Sequence, residues 1–170
     1  MTTRRRVLEV IAGALATVVG VAIAVPAAAF LTFPARKRTI FGADGPLDVG
    51  RLDALPEGKP VRVTVKAPTR RDAWTAFSDV TLGGCWLVRE GEQVRALSTV
   101  CPHAGCAVDW DEGAAAFVCP CHDSRFALDG ERTSGPSPRA MDALDVDVKE
   151  GRVAVRWRRF KTASPKKEPV

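Results

Sequence analysis

Apolar residues follow two different patterns along this chain. Residues 10–35, VIAGALATVVGVAIAVPAAAFLTFPA, carry no charged side chain. As one helix they would span about 39 Å at about 1.5 Å per residue, more than the ~30 Å of a hydrocarbon core. Pro26 lies inside this stretch, where a kink or looser last turns are expected. Beyond residue 42 the period changes to two. PVRVTVKAP (60–68) alternates apolar and polar side chains, and GCWLVREGEQVRALS (84–98) reads as strand, Glu-Gly turn, strand. LDVDVKEGRVAVRW (144–157) repeats that design, with Lys149, Glu150 and Gly151 as its turn. Only 70–79, around Trp74 and Phe77, carries a short helical period. The pattern predicts an all-β antiparallel domain preceded by one N-terminal transmembrane helix. Trp74, Trp86, Trp110 and Trp157 are scattered among the strands and are expected to pack there.

The boundaries follow from composition. Residues 1–9 form a basic N-terminus, 10–35 the transmembrane helix, and 36–46 (RKRTIFGADGP) a flexible tether with Gly and Pro. The folded domain is expected over 47–160. The last segment, 161–170 (KTASPKKEPV), has no apolar pattern and reads as a disordered basic tail. A cleaved signal peptide is the alternative for the N-terminus, and PAAAF offers small residues that a signal peptidase could accept. The apolar stretch exceeds the usual 7–15-residue signal core, so a retained anchor is expected.

Charge removes one class of function. The net charge is +5 and the pI about 9.2, but the excess sits at the two ends: Arg4, Arg5, Arg6, Arg36, Lys37 and Arg38 at one, and Arg156, Arg158, Arg159, Lys161, Lys166 and Lys167 at the other. Between them acidic side chains outnumber basic ones. A phosphate-binding surface needs its cations on the folded face, so nucleic acid is excluded as a partner.

The candidate chemistry lies in two boxes, CPHAGC (101–106) and CPCHDSRF (119–126). They contain the only two histidines of the chain, His103 and His122, and four of its five cysteines. Three readings compete. Zinc takes thiolates and imidazoles, but its usual spacing pairs Cys with Cys and His with His. Here each box offers one of each, Cys101-x-His103 and Cys119-x-x-His122. Two disulfides suit an exported chain but leave both histidines unexplained. An iron–sulfur site is the third. The fifth cysteine, Cys85, lies in the apolar run CWLV and reads as a buried strand position.

Cys-x-His-x-x-Cys followed by Cys-x-Cys-His-x-Ser resembles the Rieske iron–sulfur signature. The downstream GPSP (135–138) resembles that family's proline loop, and the likeness covers roughly 97–140 as a cluster-binding subdomain. The resemblance implies one Rieske-type 2Fe-2S cluster with Cys101 and Cys119 on one iron and His103 and His122 on the other. It also implies a disulfide between Cys106 and Cys121, and a Ser124 hydroxyl donating to a bridging sulfide. Gly135 and Pro136 would belong to the loop covering the cluster. Phe126 stands where high-potential members carry a tyrosine whose hydroxyl donates to a ligand sulfur. A phenyl ring cannot donate, so a lower potential is expected. His103 and His122 would be the catalytic pair, gaining proton affinity as the cluster is reduced.

The start TRRRVLEV resembles a twin-arginine export signal, with Glu9 where that pattern often has lysine. This implies a single-pass protein of the bacterial cytoplasmic (inner) membrane with its cluster domain on the periplasmic side. The anchor, tether, cysteines and proline loop are most similar to the iron–sulfur subunit of a respiratory-chain quinol–cytochrome c oxidoreductase. Cytochrome b, a c-type cytochrome and a quinol are the implied partners, and a lowered potential would suit menaquinol. A relay subunit resembling the small subunit of arsenite oxidase is the alternative.

Overall fold

A computed structural model describes residues 3–36, 45–71 and 75–170. Most of the expected tether, and Trp74, lie outside the described residues. The chain divides into two compact units, each described by itself. The first holds helix α1 (Arg4–Arg36), which continues through Pro26 without a break. Its Arg4–Phe33 portion is long and apolar enough to cross a membrane, with a mean hydropathy of 2.3 in the most apolar window. Val10, Leu15, Val18, Ile23 and Leu31 are all exposed along it. Thr17 and Thr32 return their hydroxyls to the Gly13 and Ala28 carbonyls one turn back, which removes unpaired donors from the apolar surface. Arg5 and Glu9 pair across one turn at 3.0 Å.

Among the described residues, the second unit holds ten strands. Six form one sheet: β1 (Leu47–Arg51), β2 (Val61–Arg71), β3 (Ala76–Glu90), β4 (Gln93–Ser98), β9 (Ala143–Lys149) and β10 (Arg152–Arg156), in the order β1-β10-β9-β4-β3-β2. Four short strands, β5 (Asp109–Asp111), β6 (Ala116–Cys119), β7 (Ser124–Phe126) and β8 (Arg132–Ser134), form a second sheet in chain order. The strand ladders with a described register are antiparallel. In place of the expected short helical period, residues 70–71 belong to β2 and residues 76–79 to β3.

Strands β4 and β9 are neighbours, with Ala96 opposite Leu144 and Leu97 opposite Ala143. The second sheet and its loops therefore leave the first sheet at Ser98 and return at Asp142. The Ser98 N–H closes this neck by donating to the Asp142 carbonyl at 2.8 Å.

The hairpin of β3 and β4 has two buried faces, which explains why CWLV is uninterrupted by polar residues. Cys85, Leu87 and Ala96 point into one core with Val65, Leu144, Val153 and Val155. Trp86, Val88 and Leu97 point into another with Val108, Phe117, Phe126 and Met141. Phe117 packs against Trp86 and Trp110 at ring distances of 5.5 and 4.9 Å. Trp86 spends its indole N–H on the Val108 carbonyl at 2.9 Å, so the ring is buried without an orphan donor.

Residues 161–170, expected to be disordered, are folded. Phe160 bridges Pro169 antiparallel, Lys161 N–H donates to Glu168 O at 2.9 Å, and Val170 N–H to Arg159 O at 3.0 Å. The Lys167 ammonium lies 4.9 Å from the Phe160 ring centre and donates to Ala143 O. Backbone pairing orders this segment, and a hydropathy pattern does not register it.

Burial pushes the Cys85 thiol up to about 12. An unfolded chain loses this proton near pH 9 while the folded one keeps it, so the unfolded state binds fewer protons there and stability falls between about pH 9 and 12. The steepest slope from this group is about 1.4 kcal/mol per pH unit. Iodoacetamide at pH 9 is expected to leave Cys85 unmodified in the native protein and to alkylate it in urea, as read by peptide mapping. Cys85→Ala is expected to remove this part of the alkaline destabilisation.

Candidate metal centre

Three loops at one end of the second sheet carry the candidate residues. The first, between β4 and β5, is closed by a bridge between Val100 and Ala107. Inside it the Cys101 N–H donates to Cys106 O at 2.8 Å and the Gly105 N–H to Cys101 O at 2.9 Å. Gly105 has a φ of +83°, which a residue with a Cβ rarely adopts. The second loop is the β6–β7 turn, entered at Cys119 and left at Ser124, which are paired in register. Asp123 turns this corner with a φ of 53°. Aspartate tolerates that conformation better than most residues, and its carboxylate pairs with Arg125 at 3.0 Å.

The disulfide joins these two loops through Cys106 and Cys121, 15 residues apart. Cys101, Cys119 and Cys85 remain free thiols. The sulfurs of Cys106, Cys119 and Cys121 lie within 4.8 Å of one another, but the disulfide consumes two of them. That trio is therefore no ligand set, and the available thiols at this end are Cys101 and Cys119.

Those two thiols belong to the second core, at 0% and 2% exposure. Burial holds the Cys101 thiol above its ordinary value; the His103 and Ala104 backbone N–H groups oppose this, and the neighbouring Cys119 sulfur adds to it. Two amide donors aimed at one sulfur are suited to a thiolate. The two imidazoles lie on the outer side, His103 half-buried and His122 exposed. Their ring centres are 4.7 Å apart and their planes nearly perpendicular, at 86°. The loops thus carry two pairs of neighbouring donors, the Cys101 and Cys119 sulfurs inside and the His103 and His122 imidazoles outside. This divided set fits a two-iron cluster with one thiolate-bound and one imidazole-bound iron.

The third loop, residues 135–142 between β8 and β9, packs on the second. A Cβ at Gly135 would overlap Ser124 Cα and stand 2.6 Å from Asp123 O, so only glycine permits the approach. Ser124 is fully buried, and its Oγ accepts from the Ser137 N–H at 3.1 Å. That bond uses the hydroxyl as an acceptor and leaves its own proton to donate. Ser137 Oγ donates onward to Arg139 O at 2.8 Å. Pro136 is exposed in this loop, and Phe126 is fully buried in the same core as Cys101 and Cys119.

Two residues at this end escape a sequence reading. Arg139 and Asp142 form a two-pronged ion pair, Nε to Oδ1 at 2.9 Å and Nη2 to Oδ2 at 2.8 Å. Their side chains are 10% and 4% exposed. The one sequence signal is opposite charges three residues apart directly after GPSP, and nothing in that spacing reveals burial.

Known proteins resemble this chain over most of its length. The family described as the Rieske [2Fe-2S] domain matches residues 45–146. The cytochrome b6-f complex iron-sulfur subunit of Chlorobaculum tepidum is 32% identical over 152 residues, 89% of this chain and 74% of that protein. The subunit of the same name from Chlorobaculum thiosulfatiphilum is 33% identical over 135 residues, covering 79% of this chain and 65% of its own. Among solved structures, the plasma membrane Rieske protein of Synechocystis PCC 6803 has a TM-score of 0.46 and 26% identity, covering 65% of this chain and 99% of that one.

Gly135→Ala is expected to push the third loop off the Asp123–Ser124 backbone at a cost of about 1–3 kcal/mol. For a domain of this size that lowers the thermal midpoint by several degrees, measured by circular dichroism against the wild type.

Proposed function

Because the chain belongs to the Rieske 2Fe-2S family, we propose that it is the iron–sulfur subunit of a membrane quinol–cytochrome c oxidoreductase of the cytochrome bc type. In that role it takes an electron, coupled to a proton, from quinol and passes it to a c-type cytochrome. The observation that carries this reading is the extent of the likeness. Two relatives named as the iron-sulfur subunit of a cytochrome b6-f complex match 89% and 79% of this chain, not its cysteine boxes alone.

Cys101 and Cys119 would hold one iron, and His103 and His122 the other. A cluster held in this way supplies a one-electron carrier at higher potential than an all-thiolate one. Around it the chain's own residues divide the work. The second core keeps water from the Cys101 and Cys119 sulfurs. His122, exposed at the tip, offers a ring nitrogen that can hydrogen-bond a quinol hydroxyl and hold its proton. Ser124, fixed by Ser137, keeps a hydroxyl proton aimed by that contact. Pro136 and Pro138 border the site without backbone N–H groups that would compete for the sulfurs.

The Cys106–Cys121 disulfide suits an oxidising compartment. This supports a cluster domain on the periplasmic side of the bacterial inner membrane, with α1 as its single anchor. The twin-arginine-like start supplies a route for a domain loaded in the cytoplasm. The electron would pass from a cytochrome b site, where quinol binds, to the c-type haem. The missing tyrosine hydroxyl at Phe126 favours menaquinol, the stronger reductant.

Purification from membranes in mild detergent tests the assignment. Haem b and haem c are expected to co-purify, and the preparation to reduce cytochrome c with a menaquinol analogue. A molybdopterin subunit co-purifying in place of haem b would overturn it in favour of the arsenite-oxidase-like relay. Phe126→Tyr is expected to raise the midpoint potential by about 60 mV, if the new hydrogen bond favours the reduced state by about 1.4 kcal/mol. A redox titration showing no upward shift contradicts the role given to this position.

A further inference from the structure

The segment after Phe160 lies against the first cysteine–histidine loop. At its turn, the single N–H of Ala163 donates to two carbonyls, Pro102 O at 2.8 Å and His103 O at 3.0 Å. These carbonyls belong to the peptide planes on either side of the His103 Cα. Holding both planes fixes the backbone dihedrals of His103, and with them the direction in which its imidazole leaves the chain. Beside this contact the Thr162 methyl packs on Gly105, 3.7 Å from where a Cβ would stand.

Ala163 makes the contact from a left-handed backbone, φ 53°. A residue with a Cβ keeps that conformation only where its surroundings dictate it. Arg139 supplies those surroundings. Its Nη2 donates to Lys161 O at 2.8 Å and its Nη1 to Ser164 O, so the guanidinium grips the carbonyls on both sides of Ala163. Asp142 holds the same guanidinium from behind through both carboxylate oxygens. Arg139 is also the carbonyl partner of Ser137, whose N–H holds Ser124. One buried arginine therefore joins the proline loop to the C-terminal segment, and that segment joins the first loop.

We propose that residues 160–170 are a strap that sets the orientation of His103, with Ala163 as its contact and Arg139 as its anchor and positioning residue. This rests on the reading of His103 as an iron ligand.

The test uses the full-length protein in detergent and two readouts: hydrogen exchange of peptides spanning 101–106, and the EPR spectrum and midpoint potential after dithionite reduction. Ala163→Gly keeps the N–H and relaxes the backbone, so wild-type exchange and spectrum are expected. Ala163→Pro removes the N–H, and Arg139→Gln releases the segment. Both are expected to speed exchange in 101–106 at least tenfold and to alter the spectrum and potential, with exchange in β9 and β10 unchanged. Wild-type exchange in 101–106 for Ala163→Pro would overturn the strap, as would an unaltered spectrum with faster exchange. Should Arg139→Gln fail to fold, Ala163→Pro decides alone. A wild-type protein lacking any Rieske-type signal would sink the ligand reading instead, and exchange would still decide whether the strap holds the loop.

Discussion

Two loops with little regular structure must deliver four side chains to one place, and the covalent bond between Cys106 and Cys121 is the constraint on which that depends. It ties the loops directly beside the candidate ligands. Closing 15 residues removes unfolded-chain entropy worth about 3 kcal/mol. For a small domain that is a sizeable part of a total of about 5–15 kcal/mol. The bond also dictates how the other cysteines are used: with Cys106 and Cys121 joined, the second core keeps only Cys101 and Cys119 as thiols.

The β3–β4 hairpin sets the division between scaffold and site. Its alternate residues feed two cores, so the six-stranded sheet and the loop-bearing end share one pair of strands. The Cys101 and Cys119 sulfurs, the candidate ligands, are consequently core atoms, packed among Trp86, Phe117 and Phe126, while the imidazoles face outward. This polarity suits electron transfer with proton exchange. The sulfur side is buried, and the nitrogen side reaches the surface, where a partner can meet it. The short four-stranded sheet has little core of its own and relies on the hairpin, the disulfide and the contacts of the third loop.

How far the sequence discloses this depends on what kind of interaction makes each part. Strands were legible wherever one face is buried, because the period of two survives in 60–68 and 144–157. The boxes were legible because the chain's whole supply of histidine sits in them. The C-terminal segment was not, since KTASPKKEPV is ordered by backbone bonds to carbonyls and by one arginine, and neither leaves a hydropathy trace. Arg139 and Asp142 look like surface charges until their burial is known. The unbroken run CWLV signals burial on both sides but not that the two sides are different cores.

The identity of the four donors decides what this end of the domain does. Pulsed EPR of the dithionite-reduced protein, grown with and without nitrogen-15 histidine, reads them without reference to activity. Couplings to two histidine nitrogens that change with the label are expected, from a centre holding two irons and two sulfides per chain. A spectrum with no histidine coupling, or a chain that binds zinc and gives no signal, would contradict that set of donors.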